Sequence, residues 1–433
     1  EGVLDQVHAK ALYFESGDDR VLLITADLIA IPYQVSSPVV AGIVAACGLA
    51  PDQICICASH THSGPLPFGP AGAPGVEEYS TFLIAALIEV GVAATLAPVE
   101  CEVGTGVGSV DVFLNRRTRG NPNLVDSRVG VLVVRAVGAD AALAVLFGVG
   151  CHPVTLGWDN PLISGDFPGV AQRLVEADSR VDMAMFFNTT EANVIPVTSP
   201  DRDALDPRGY SGGSPADATT IGRAIAHEVL HAMATVVTSP MVQLGSARRE
   251  LEVLPNNAAF DLETVTARLA AASAVLASVL GDDFETRAGG YLWALASQHV
   301  VDTDCSEPDM RRIMLACCEF LGLSARVAHG RSLGPVTVPI QVLRLGEMEL
   351  LALPGEPLVE VGQEWLAITE NEHAYVVGLA NAHLRYLPLQ QHFDLPDART
   401  QYDTVTAGLE PGAVDRLLDE AATLLALVRL PGV

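Results

Sequence analysis

Ile54-Cys55-Ile56-Cys57-Ala58-Ser59-His60-Thr61-His62-Ser63-Gly64-Pro65 passes from an unbroken apolar run into a polar turn that carries two histidines and ends on Gly-Pro. A short, partly β-branched apolar run bounded by such a break predicts a buried strand that ends where the histidines begin. Open α/β sheets present their chemistry at strand ends. In an extended His-Thr-His the two imidazoles fall on one side of the chain, so His60 and His62 are expected to face one cavity, with one of them free to hold a metal.

The same alternation of apolar runs and polar turns continues along the chain. Val21 to Leu28 reads as a buried strand ending on Asp27, Val39 to Cys47 as a helix closed by Gly48, and Glu77 to Ala94 as a long amphipathic helix. Val129 to Val134 and Ala144 to Cys151 read as a hairpin or as neighbouring strands joined through Gly138-Ala139-Asp140. Phe167 to Ala177 reads as a helix and Met183 to Phe187 as a strand. The Gly-, Pro- and Asp-rich segment from Pro196 to Asp217 reads as a surface excursion. Helices over Ala216 to Thr238, Leu262 to Leu280 and Pro308 to Leu323 predict a helical layer or subdomain around residues 216–323. Strands return at Val336 to Leu345 and Met348 to Leu353, turning at Gly346-Glu347, then a helix at Leu358 to Ile368, a strand at Tyr375 to Gly378 and a terminal helix at Pro411 to Val428. The expectation is an α/β fold of mixed, layered sheets flanked by helices, with residues 1–433 as one catalytic domain and its site at a loop edge.

Composition narrows the chemistry. With 49% hydrophobic and 18% charged residues in 433, the chain folds around a substantial core. Its net charge of -27 disfavours nucleic acid and anionic membrane surfaces as partners. Lys10 is the sole lysine and no Gly-Lys-Ser/Thr occurs, which excludes P-loop chemistry. The eight cysteines form no CxxC pair and no dense framework, so they read as small buried hydrophobes in a reduced protein. Neither a signal peptide nor a charge-free apolar run long enough to span a membrane stands out, which favours a cytoplasmic over a secreted location and predicts no integral membrane segment.

Three further segments repeat the strand-then-turn character: Gly150-Cys151-His152-Pro153, Leu353-Pro354-Gly355-Glu356-Pro357 and Leu384-Arg385-Tyr386-Leu387-Pro388. Each puts one metal-competent side chain after an apolar run, the way a sheet gathers ligands from distant parts of a chain. Two histidines, a glutamate and a tyrosinate form an N/O shell suited to one zinc with room for a water.

These motifs, with Ile163-Ser164-Gly165-Asp166, Gly169 and Tyr402, resemble the neutral, non-lysosomal ceramidase family, in order from near residue 5 to about residue 406. The resemblance implies that His60, His152, Glu356 and Tyr386 hold one zinc ion. It also implies that His62 lies beside them, that Arg116 in Leu114-Asn115-Arg116-Arg117 orients the substrate, and that Tyr402 polarises the scissile carbonyl. The implied reaction is hydrolysis of an N-acyl amide such as ceramide by a zinc-activated water. Two departures stand out: Ile195 in Ala192-Asn193-Val194-Ile195-Pro196 occupies the place of a family serine, which excludes a serine nucleophile there, and the C-terminal immunoglobulin-like domain of longer members is expected to be absent. The alternatives are a related zinc hydrolase of another small amide, ester or lactone, and an inactive binding protein of the same fold. A third competitor is a zincin protease built on His227-Glu228-Val229-Leu230-His231, a literal HExxH on an expected helix.

Overall fold

The computed structural model describes residues 2–68, 75–116, 123–156, 160–198, 213–256, 262–281, 284, 316, 320, 334–396, 398 and 402–430. Three mixed sheets dominate it. The first has Asp19–Ala26 at its centre, antiparallel to Ala9–Ser16 and parallel to Ile54–Ala58. The second runs Ala184–Asn188, Ala142–Val149, Arg128–Ala136, Cys101–Ser109, with only its first pair parallel. The third runs Leu244–Val253, Val336–Leu345, Met348–Ala352, Ala374–Val377, with only its last pair parallel.

Side-chain alternation along these strands decides how the sheets stack. Leu23, Cys55 and Cys57 of the first sheet, Leu132, Leu146 and Phe187 of the second, and Leu345, Leu350 and Val377 of the third all meet in one central core. The intervening residues point outward to helices. Leu22, Ile24, Ile54 and Ile56 pack beneath the helices Tyr33–Cys47 and Val76–Thr95. Val131, Val145, Phe147 and Phe186 pack beneath Asp166–Glu176 and Pro215–Met233, and Val338, Ile340 and Val376 beneath Val359–Thr369 and Ala413–Arg429. Both faces of the central strands are therefore dry, which is why they read as continuous apolar runs. Truncating a core leucine such as Leu146 to alanine costs about 2–5 kcal/mol.

Several boundaries differ from the sequence expectations for visible reasons. The helix expected from Val39 begins at Tyr33, because Pro38 is accommodated in its second turn, and it ends as expected on Gly48 at φ 69. The helix expected to reach Thr238 stops at Met233, and the chain beyond it bridges Ser239 to Val103. Cys101–Ser109 and Leu244–Val253 were not expected. The first carries Gly104, Gly106 and Gly108, and a Cβ at these positions would lie 2.4 to 2.8 Å from Val237 O, Val236 Cγ2 and Glu228 Cγ. Close approach of the helix and its exit has replaced the apolar side chains that mark a strand. Of the helix expected at Pro308 to Leu323 only Ala316 and Phe320 are described, both helical and buried, and most of the excursion from Pro196 to Asp217 lies outside the described residues.

Among the described residues one helix, Val76–Thr95, is long and apolar enough to cross a bilayer. It buries Leu83, Leu87 and Gly91 toward the first sheet, and a Cβ at Gly91 would lie 2.8 Å from Ile43 Cδ1. The described cysteines, Cys47, Cys55, Cys57, Cys101 and Cys151, are all free thiols.

Candidate metal centre

The C-terminal ends of strands from all three sheets converge. Ile54–Ala58 leads into His60, Ala142–Val149 into His152, and Met348–Ala352 into Glu356. Asn188, fully buried at the end of its own strand, ties two of these turns together. Its Nδ2 donates to Ser59 O at 3.0 Å and Cys151 O at 2.9 Å, the carbonyls just before His60 and His152, and its Oδ1 accepts from Cys151 N at 3.2 Å. The Glu356 and Tyr386 segments pair as a short parallel ladder in which these two residues are register partners.

His60 and His62 do not reach one cavity by strand periodicity. The strand ends at Ala58, and His60 adopts the left-handed conformation at φ 70, where its N–H donates to Leu28 O. A non-glycine residue there costs about 1–2 kcal/mol. The kink still brings the rings together: His60 and His62 have centroids 4.8 Å apart and Nε2 atoms 3.4 Å apart, and the His60 and His152 centroids are 4.6 Å apart.

The tautomers suit a cation. His60 Nδ1 lies 2.6 Å from Ile29 O and His152 Nδ1 2.6 Å from Glu191 O, so each donates its Nδ1 proton to a carbonyl and turns an Nε2 lone pair inward. Glu356 Oε2 lies 3.5 Å from both of those Nε2 atoms. A tetrahedron with metal–ligand bonds of about 2.0–2.1 Å has edges of roughly 3.3–3.4 Å, close to these separations. One ligand atom from each of His60, His62 and His152 falls within a common 4.8 Å, so this group can hold a metal ion.

Charge states agree with that use. Burial, with Arg116 and His60 adding to it, pushes His152 down to about 3. Burial and the neighbouring His60 and His152 likewise hold His62 well below the usual imidazole range. For Glu356 burial acts upward, but His60, His152 and His383 outweigh it and keep the carboxyl well below its ordinary range. Neutral imidazoles at His62 and His152, the inward Nε2 of His60 and the ionised Glu356 form a nitrogen and oxygen donor set of the kind zinc takes.

Arg116 borders this set. Its N–H donates to Asn193 O at 2.9 Å, and its Nη2 lies 3.1 Å from Ala192 O, 3.1 Å from Tyr386 Oη and 3.2 Å from His152 Nε2. Tyr386 is buried and stacks on His152, with centroids 6.4 Å apart. Tyr402 opens the short helix Tyr402–Val405, and its side chain lies outside the described residues. Ile195 is buried and its strand pairs with Phe113–Asn115, which leads to Arg116. The HExxH histidines His227 and His231 are exposed, Glu228 Oε1 accepts from Ser109 N at 3.0 Å, and no third His, Cys, Asp or Glu joins them in a metal-binding group among the described residues. Sequence reading missed Asn188, His383 and Glu191. Only Asn188 carried a signal, as the polar residue ending an apolar strand.

No family model and no curated protein matches the chain in sequence. Its fold is that of neutral ceramidase. The crystal structure of neutral ceramidase from Pseudomonas aeruginosa matches with a TM-score of 0.68 at 19% identity, over 100% of this chain and 70% of that one. A structure of a ceramidase complexed with C2 matches with a TM-score of 0.67 at 18% identity, over 98% of this chain and 71% of that one.

Proposed function

We propose that this neutral-ceramidase fold carries a zinc-dependent amidohydrolase that cleaves an N-acyl amide of the ceramide type. The observation behind the reading is the meeting of His60 and His152 on Glu356 Oε2, which lies 3.5 Å from each Nε2, with both imidazole lone pairs turned inward by carbonyls. In this reading His60, His152, Glu356 and Tyr386 are the ligands, and His62 lies close enough to His60 to be tested as a substitute for Tyr386. A zinc ion bound there supplies Lewis acidity and lowers the pKa of a water to about 7.

The chain's own groups divide the remaining work. Arg116 keeps a full positive charge beside the metal-facing atoms and positions the Tyr386 hydroxyl, so it aids an amide carbonyl whose oxygen gains negative charge. His62, its Nε2 3.4 Å from that of His60, is assigned with Tyr402 to the oxygen of the scissile carbonyl as it gains negative charge. Tyr402 is assigned to the scissile carbonyl by resemblance.

Purified protein is expected to carry zinc and to hydrolyse an N-acylsphingosine, with His152→Ala losing both metal and activity. A preference of roughly a hundredfold for short amides, esters or lactones would reject ceramide as the substrate class while keeping the hydrolase. Protein that neither carries nor takes up zinc would overturn the reading in favour of a binding protein.

A further inference from the structure

The second oxygen of Glu356 is also engaged. His383 Nε2 lies 3.2 Å from Glu356 Oε1, while Oε2 is the oxygen that faces His60 and His152. An ionised carboxylate only accepts, so the hydrogen bond on this line requires the proton on His383 Nε2. The His383 side chain is 18% exposed and its ring lies against Phe68, with centroids 5.9 Å apart.

The backbone around His383 is built to hold it there. Leu379, Asn381 and Arg385 have φ of 55, 64 and 61, three left-handed non-glycine residues in one short stretch. Such strain persists only where the surroundings over-determine it. Here the N–H groups of Leu379, Ala380 and Leu384 donate to Gly355 O, Leu353 O and Pro354 O, and Glu356 N donates to Arg385 O. The turn bearing His383 and the turn bearing Glu356 are thereby laced into one unit. Asn381 anchors that unit to the sheets, with Oδ1 accepting from Ile56 N and Nδ2 donating to Gln341 Oε1.

We propose that His383 is a positioning residue that occupies Oε1 of Glu356 and so presents Oε2 alone to the metal. A carboxylate left free beside a cation can swing between one-oxygen and two-oxygen contact, and the second mode fills the place a water or substrate oxygen needs. A donor fixed on the outer oxygen removes that freedom and orders the ligand before the metal arrives. This inference rests on the metal reading above and adds a residue to it.

The experiment measures zinc affinity by chelator competition for wild type, His383→Phe and His383→Gln, alongside the melting temperature of each metal-free protein. Phenylalanine keeps the ring against Phe68 and removes the donor, whereas glutamine can return an N–H to the same place. His383→Phe is expected to bind zinc about 10–100-fold more weakly with an unchanged metal-free melting temperature, and His383→Gln to recover most of the loss. If His383→Phe fails to fold, His383→Ala replaces it in the same comparison. Wild-type affinity in the donor-free variant, or equal losses in that variant and His383→Gln, overturns the positioning role and leaves the metal site standing. A wild-type protein that binds no zinc overturns both.

Discussion

Glu191 is fully buried, and neither of its carboxylate oxygens has a hydrogen-bond partner among the described residues. Burial, reinforced by the nearby Glu356, pushes its carboxyl well above the ordinary range. Because the folded-state pKa is the higher one, the contribution to stability is complete at low pH and is lost as pH rises above the unfolded value, at about 1.4 kcal/mol per pH unit until the folded pKa is reached. Glu191→Gln removes that slope. In denaturant titrations of metal-free protein it is expected to match wild type near pH 4.5 and to exceed it at pH 8; a gap that does not change with pH would refute the neutral carboxyl. His152 has the opposite sign. Held down to about 3, it contributes stability that is present above pH 6.5 and is lost on acidification toward 3, and His152→Asn is expected to flatten the acid limb of the same curve. These two residues also differ in legibility. His152 followed an apolar strand and preceded a proline, which made it readable as a ligand, whereas Glu191 sat in a Thr-Thr-Glu-Ala-Asn stretch indistinguishable from a solvated loop. Only the packing of Gly378, where a Cβ would lie 2.7 Å from Glu191 Oε2, shows how closely the carboxyl is enclosed.

Strand ends, rather than strands, are where the elements become specific. Asn188 links the turn before His60 to the turn before His152 through three hydrogen bonds in a fully dry position. Removing its amide leaves two carbonyls and one N–H without that partner, at about 1–3 kcal/mol for each group left unsatisfied. Asn188→Ala is therefore expected to lower unfolding free energy by about 3 kcal/mol or more and to weaken zinc binding as the two histidine turns loosen. A loss below about 0.5 kcal/mol in urea titration would mean that water takes its place without cost. The interior of the elements was readable because two-faced burial writes itself as an apolar run: Leu262–Leu280 and Val336–Leu345 carry the expected bounds. Cys101–Ser109 was unreadable for the complementary reason, since its neighbours press so closely that glycine replaces the residues by which a strand is recognised. The left-handed kink at His60 was equally hidden, because no local rule puts a histidine at φ 70 without the carbonyl that takes its N–H.

For the molecule as a whole, the decisive property is that the candidate ligands come from all three sheets and are separated by up to 326 residues, from His60 to Tyr386 (386 − 60). An ion held by such a set is present only when the sheets have assembled, so its binding energy adds to the stability of the entire fold rather than to that of one loop. The acidic balance works in the same direction: a net charge of -27 attracts a divalent cation and is partly relieved by it. At free zinc roughly a hundredfold above its dissociation constant, the linkage amounts to about 2.7 kcal/mol. Hydrogen exchange should report it. Adding zinc to stripped protein is expected to slow the most protected amides of Asp19–Ala26, Ala142–Val149 and Val336–Leu345 by a common factor of about 10², because each opens only on global unfolding. Slowing confined to residues near His60 and Glu356 would place the ion on a locally formed site, and the argument that three sheets jointly make the centre would fail.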